Sequence, residues 1–306
     1  MSLATRLILA YSGVILIWAS SPMAIQWGAL ETGFDFAVMA RMVIGTCCAL
    51  IIIGLLHVSL PFHRRALASY AVAGLGQFLV MYGVYWAAQR IDSGLISVIF
   101  GISPLVTSLM ASLWLGEQLF NPQRLLGMLL GLTGLGIIFG DNALLLDPSL
   151  LLGIGVLLLS VLLHAGSLVG LKYIADDSPP LATATGALLV ATPLFLLAWW
   201  LGGGDWPTHY SWRGSLSILY LALFGSVLGF ALYYFIIRHL ASERVALILV
   251  ITPLAALFVG WQFNGETLST QVWIGGALIS GGLLLHVRGG RTARTAPEAR
   301  AAKQPG

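Results

Sequence analysis

Residues 85–127 read YWAAQRIDSGLISVIFGISPLVTSLMASLWLGEQLFNPQRLLG, and residues 234–276 read YFIIRHLASERVALILVITPLAALFVGWQFNGETLSTQVWIGG. An offset of 149 residues, the separation of Pro104 from Pro253, lays one stretch on the other without a gap. Tyr85 then falls on Tyr234, Ser93 on Ser242, Ile99 on Ile248, Leu105 on Leu254, Gly116-Glu117 on Gly265-Glu266, Leu119 on Leu268 and Gly127 on Gly276. Register kept through residues as rare as proline marks one unit written twice.

Working outward, the chain is 58% hydrophobic and only 9% charged over 306 residues, against roughly 25% charged in a soluble domain. Its apolar runs are about 20 residues long, enough to cross a hydrocarbon layer roughly 30 Å thick. Ten spans are expected, at 6–27, 34–56, 66–88, 94–115, 122–140, 150–173, 180–201, 214–237, 243–263 and 270–287. With the N-terminus in the cytoplasm, the inner segments hold Arg6, Arg64, Arg65, Arg124, Lys172, Arg238, Arg244, Arg288, Arg291, Arg294, Arg300 and Lys303. Those are twelve of the fifteen basic residues; the outer loops hold Arg90 and Arg213, and Arg41 lies within a span. The bias puts both termini inside.

Five spans per unit is an odd number, so the second unit enters the membrane from the opposite side. The fold class expected is therefore an all-α integral membrane protein, ten transmembrane helices in two inverted five-helix repeats around a central cavity. The repeats divide the chain at 1–142 and 143–288, with a basic, disordered cytoplasmic tail at 289–306. Such pseudo-symmetric halves are the architecture of secondary transporters, with the substrate held near the midplane between them. The net charge of +3 follows from topology and tail and implies no nucleic-acid partner. Cys47 and Cys48 are adjacent within span two, where they pack as small apolar residues and offer no metal spacing. The first span is longer than a signal peptide requires, and nine more follow it.

The doubled proline span followed by a Gly-Glu hairpin, with Arg41 in span two, resembles the drug/metabolite transporter superfamily, and most of all its ten-helix EamA-type exporters. The similarity runs from Leu7 to Val287. It implies a multi-pass protein of a bacterial-type inner (plasma) membrane that moves small metabolites, often amino acids, through a central cavity. The aromatic lining described next is similar to the aromatic amino-acid exporter branch.

Polar and aromatic groups in a transporter's midplane gather on cavity-facing stripes, because such groups are costly against lipid. Phe78, Tyr82, Tyr85 and Gln89 share one face of span three, with Trp86 beside it. Trp86 and Gln89 read equally well as an interface belt. Ser97, Phe100, Pro104 and Thr107 share a face of span four, with Ser103 adjacent, and the repeat partner carries Thr252-Pro253. Each proline frees the carbonyl four residues earlier, Phe100 or Leu249. The pair of kinked helices then serves either as a hinge whose carbonyls meet substrate or as a packing bend. Tyr234, the repeat partner of Tyr85, extends the aromatic lining from span eight, beside Ser226, Phe230 and Tyr233.

His164 is the one histidine deep in a span, and so either a proton site or a neutral ring bonded to Ser160 or Ser167. Arg41, about 10 Å deep at 1.5 Å per residue, either draws a substrate carboxylate, snorkels outward or pairs with Asp35; the structural roles are preferred. Glu117 and Glu266 suit helix capping. Glycines four apart, at 127/131, 136/140, 166/170 and 225/229, read as helix-packing positions.

No Asp or Glu lies in the middle third of a span. Proton coupling therefore rests on His164 or is absent, and lipophilic cations lack a membrane carboxylate. The expectation is an exporter of small amphipathic metabolites, most of all amino acids with aromatic or other apolar side chains, working by alternating access with Pro104 and Pro253 as hinges. The alternatives are a broad multidrug exporter and a membrane-embedded transferase; the longest loop, Gly202 to Arg213, carries Asp205 and His209 without a catalytic constellation. The chain is not expected to be an enzyme or to need a cofactor or metal. Its partners are a small-molecule substrate and the lipid bilayer; a monomer suffices for that arrangement, the oligomeric state being left open.

Overall fold

The computed structural model describes residues 2–116, 122–140, 147–208, 211–240 and 242–301. Within these, the side chains of 139, 226–227, 230–231, 234, 237–238, 242–243, 246 and 290–301 are not described. The described residues contain helices and no strand: α1 Leu3–Thr32, α2 Phe34–Leu55, α3 Arg64–Ala87, α4 Ser93–Phe100, α5 Ser103–Leu115, α6 Pro122–Phe139, α7 Pro148–Ile174, α8 Pro180–Leu201, α9 Trp212–Tyr220, a π-helical stretch Leu221–Leu228, α10 Gly229–His239, α11 Ser242–Phe263 and α12 Thr270–Ala301. With α4–α5 and α9–π–α10 each taken as one interrupted rod, these make ten helical segments, and they overlie the ten expected spans. Seven stretches are long and apolar enough to cross a bilayer by length and composition, α4–α5 among them as Ser93–Leu115. Pro122–Ile138 and Leu247–Phe263 are shorter apolar helices. The last helix crosses with Thr270–Gly289 and continues to Ala301, into the stretch that composition assigns to a disordered tail.

Local chemistry sets the ends. Ser2 caps α1 by accepting from the Thr5 amide at 3.2 Å, His63 Nδ1 caps α3 from the Ala66 amide at 3.2 Å, and Asp147 caps α7 from the Ser149 amide at 2.8 Å. Pro148 and Pro180 stand in the first turns of α7 and α8, where a missing N–H costs nothing. Gly116 and Gly265, partners in the repeat, both adopt φ +67°, a conformation open to glycine without strain.

The two proline sites differ. Span four breaks after Phe100, through a turn at Gly101-Ile102, and Pro104 sits in the first turn of the new helix. In α11 the helix runs unbroken through Pro253. The expected pair of matching kinks is therefore one break and one continuous helix. The two rods pack directly: a Cβ on Gly101 would meet the Pro253 ring at 3.1 Å, and one on Gly94 the Leu257 backbone at 3.1 Å.

The principal helix pairs are α6 with α12, α3 with α7 and α8, α2 with α8, α4 with α11, α5 with α7, and α1 with α9, α10 and α11. Large aliphatic side chains such as Leu16, Leu113 and Leu201 remain exposed around the bundle, as lipid-facing positions should. The largest buried cluster joins residues of α1 to α4, α6 to α9, the π-helical stretch, α11 and α12, so one core runs through most of the bundle.

Candidate functional site

Arg41 is the most unusual charge in the molecule. It lies seven residues into α2 and is 9% exposed, so it neither snorkels outward nor reaches Asp35, whose Oδ1 instead accepts from the Phe36 amide at 2.8 Å. Its Nη1 donates to the hydroxyl of Tyr85, a wholly buried side chain of α3, at 3.4 Å. Its Nε is buried with no hydrogen-bond partner among the described residues. Among the described residues no carboxylate comes within ion-pair distance of it; the pairs found are His63 with Asp176 and Arg213 with Glu31. Across from the guanidinium is Gly225 of the π-helical stretch: a Cβ built there would stand 3.5 Å from Nη2 and 3.8 Å from Ser21 Oγ of α1. Helices α2, α3 and the π stretch thus meet at one buried cation, with α1 against the π stretch beside it.

A polar and aromatic strip continues along α1. Ser20 Oγ and the Tyr220 hydroxyl are hydrogen-bonded at 2.7 Å, and Trp18 packs on Tyr233 with ring centroids 5.1 Å apart. Pro22 inside α1 leaves the Trp18 carbonyl without its helical donor. Trp18, Ser20, Ser21 and Tyr220 were not singled out from sequence; Ser21-Pro22 within an apolar run and Gly225/Gly229 at the π stretch were the available signals, since π-helical turns concentrate at functional sites.

The expected stripe on α3 divides. Tyr85 joins Arg41. Phe78 packs edge-on against Phe195 of α8 at 5.0 Å, and Tyr82 edge-on against Phe34 of α2 at 5.3 Å, so these two fill the junction of α2, α3 and α8. Trp86, half-buried at the helix end, lies under the Arg90 guanidinium at 3.7 Å, an interface-belt arrangement.

A second focus brings Phe100 and His164 together at 6.2 Å between ring centroids, where the broken end of α4 meets α7. The hydroxyls expected beside His164 are engaged elsewhere: Ser160 donates to the Val156 carbonyl at 2.9 Å and Ser167 to the Val72 carbonyl of α3 at 3.2 Å. Ser97 and Ser103 are buried. Thr107 donates to the Ser103 carbonyl at 2.8 Å, and Thr252 to that of Ile248 at 2.7 Å. Pro104 is half-buried and Pro253 buried. The Tyr234 side chain and Glu117 lie outside the described residues. A separate groove of about 340 Å³ opens on the flank between the ends of α5 and α7, lined by Trp114, Leu115, Val169, Gly170 and Tyr173.

One end of the bundle is held by a polar network. Glu266 accepts from the Ser93 and Gly94 amides at 2.9 and 3.0 Å, from the Ser93 hydroxyl and from Asn264 Nδ2 at 2.7 Å. Asn264 also bonds Gln26 at 2.6 Å and Trp27 Nε1 at 2.6 Å, both on α1. Arg213 lies over the Trp27 ring at 3.9 Å and pairs with Glu31 at 3.7 Å. Partial burial and the Glu266 carboxylate together push the Asp92 carboxyl up to about 6.

Comparison with known proteins places this geometry in context. The sequence pattern of the EamA-like transporter family matches residues 5–140 and, a second time, 151–288. The chain is 27% identical to the uncharacterized inner membrane transporter YedA of Escherichia coli K12 over 69% of this chain and 67% of that one. It is 26% identical to the "Probable terminal-alkyne amino-acid exporter" of Streptantibioticus cattleyicolor over 95% of both. A solved crystal structure superposes over 99% of this chain and 100% of its own with a TM-score of 0.63 at 17% identity, a likeness of fold.

Proposed function

The chain belongs to the EamA-like transporter family of the drug/metabolite transporter superfamily, and we propose that within it the protein exports small amphipathic metabolites, above all amino acids with aromatic or apolar side chains, by alternating access. It is a membrane transporter and not an enzyme. Likeness, at 26% identity over 95% of both chains, to a "Probable terminal-alkyne amino-acid exporter" is the observation that carries the substrate class. The aromatic and hydroxyl groups beside Arg41 suit such a substrate, whose side chain needs an apolar wall and whose ends need polar partners.

The alternating mechanism rests on reading the halves, 1–142 and 143–288, as inverted repeats. Two observations support it. The family pattern occurs twice. Exchanging α1 with α7, α2 with α8, α3 with α9–α10, α4–α5 with α11 and α6 with α12 also carries several of the larger packing pairs onto one another, although α1 on α2 and α11 on α12 have no counterpart of similar extent among the described residues. Thus α3 on α7 maps to α1 on α10, α3 on α8 to α2 on the π stretch, and α5 on α7 to α1 on α11. Helices that pack across the halves are the ones that must slide when the halves rock. Phe78, Tyr82, Tyr85, Ser97, Phe100, Ser103, Thr107, Tyr234 and Thr252 line the path in this reading, with Trp86 at its rim, Pro104 and Pro253 at the crossing of the two rods, and His164 as the proton-linked group. Both termini face the cytoplasm, as the basic-residue bias suggests, and likeness to an inner membrane transporter supports the inner membrane as the location.

Flux of individual amino acids into proteoliposomes, measured with and without a pH gradient, tests the assignment. Acceleration of at least one apolar amino acid is expected. No acceleration across the set sinks the export reading. Gradient-driven accumulation that is equal in wild type and His164→Ala removes the proton role from His164.

A further inference from the structure

We infer that Arg41, with the Tyr85 hydroxyl and the bare face of Gly225 beside it, is the carboxylate-binding subsite of the substrate path, so that the transported species is a free acid and not an amine or amide. The inference rests on the export reading and narrows it. A guanidinium inside the hydrocarbon layer is costly, and such charges are kept where they face a protein interior and meet a counter-charge or a substrate. Arg41 is nine-tenths buried, yet its one hydrogen-bond partner among the described residues is the neutral Tyr85 hydroxyl at 3.4 Å, a long contact for that bond. Nε is buried and unpartnered.

The planar guanidinium offers parallel N–H donors that fit a carboxylate in a two-point bond, and here donors remain to be filled. The wall opposite is made by Gly225. Without a side chain it leaves open the position 3.5 Å from Nη2 that a larger residue would occupy. That wall belongs to a π-helical stretch, the widened helix form that recurs at binding sites. The Tyr85 hydroxyl accepts from Nη1 and has its own hydrogen to offer a bound carboxylate's remaining lone pair, while the Ser21 hydroxyl, which donates to the Ile17 carbonyl at 2.6 Å, borders the open face of Gly225. Desolvating a lone guanidinium is repaid when an anion joins it; an amide or amine bearing the same side chain brings no such charge.

The test compares L-phenylalanine with L-phenylalanine amide, which share a side chain and ammonium group and differ at the carboxylate, within a panel of amino acids and their amides. Wild-type protein in liposomes should move the acid at about one-tenth or less of the half-saturating concentration needed for the amide. Arg41→Gln should abolish that preference by weakening acid transport about 10- to 100-fold relative to transport of the amide. Arg41→Lys keeps the charge but loses the two-point geometry and should give an intermediate preference. It also supplies the answer if Arg41→Gln is not recovered folded. Equal transport of acid and amide by wild type, or an undiminished preference in Arg41→Gln or Arg41→Lys, overturns the inference and leaves export standing. Absence of flux for the whole panel overturns both.

Discussion

Glu266 leaves its own hairpin to cap a helix 173 residues away in sequence. Its carboxylate takes the orphan amides of Ser93 and Gly94 at the start of α4, and its negative charge faces the positive end of that helix. Glu266→Gln keeps the size but sets an amide N–H₂ against backbone donors. Thermal unfolding in detergent at neutral pH should show a loss of about 1–3 kcal/mol, and an unchanged midpoint would remove the cap from the account. Asp92 works the other way. Its carboxyl titrates near 6 because burial and Glu266 oppose its charge, so the folded state holds that proton more tightly than the unfolded one. Stability from this group is full at acid pH and lost as pH rises from the ordinary carboxylate range through about 6. Asp92 stays exposed overall, so solvent limits the effect to about 1 kcal/mol. Asp92→Asn should therefore raise the midpoint at pH 8 and leave it unchanged at pH 4; a gain at both values contradicts the assignment. Capping by Glu266 was legible in sequence because a carboxylate after a tight Gly turn suits little else. The identity of the capped helix was not, since nothing local names a partner so far along the chain. The direction of the Arg41 side chain was not legible for the same reason: a long side chain seven residues into a span turns inward or outward according to neighbours, here Tyr85 and Gly225, that sequence spacing does not bring together.

Between α6 and α12 the backbones touch. A Cβ on Gly134 would lie 2.6 Å from the Gly275 carbonyl, and one on Gly127 would lie 2.4 Å from that of Gly282. Close approach of this kind replaces the hydrophobic effect as the adhesive between helices, since lipid tails are as apolar as leucine. Gly136, on the same helix, has nothing within 4 Å of its Cβ position. Gly134→Ala should thus cost about 1–3 kcal/mol by overpacking, while Gly136→Ala should be neutral or gain up to about 1 kcal/mol from helix propensity. The two midpoints, measured side by side, decide the point, and equal shifts would count against glycine-mediated contact. Sequence spacing placed 127/131 and 136/140 on one footing; hydropathy does not distinguish a helix neighbour from a lipid chain, so the faces separate only in three dimensions. The same limit applies to breaks. Seven of the ten segments were legible from length and apolarity and the others from shorter apolar runs, yet Pro104 lies beyond a break in its rod whereas Pro253 sits within an intact helix. Proline removes a donor in both cases; the packing of Gly101 against Pro253 differs from anything the local sequence states.

For the molecule as a whole, the polar network at the 88–92 and 264–269 end fixes α1 to α4, to α9 and to the hairpin between α11 and α12. Gln26, Trp27 and Glu31 supply the α1 side, and Asn264, Glu266 and Arg213 the other. Apart from the Asn264–Glu266 bond inside the hairpin, these bonds join α1 to residues beyond 143, so on the proposed division into two repeats the network must part if the halves rock open at this end. Its polar partners can rehydrate on parting, which an apolar seal of equal area cannot do as cheaply. A covalent link across it should therefore hold the protein in one state. With Cys47→Ser and Cys48→Ser removing the native thiols, one half-buried and one exposed, the pair Gln26→Cys and Asn264→Cys replaces a 2.6 Å hydrogen bond with two thiols for a short bifunctional reagent. Cross-linking in proteoliposomes should stop net amino-acid flux, a cleavable linker should restore it on reduction, and each single cysteine variant treated alike should stay active. Undiminished flux after quantitative cross-linking would mean that this end stays shut throughout the cycle, and that the substrate leaves by a route other than the passage between α1, α4 and the α11–α12 hairpin.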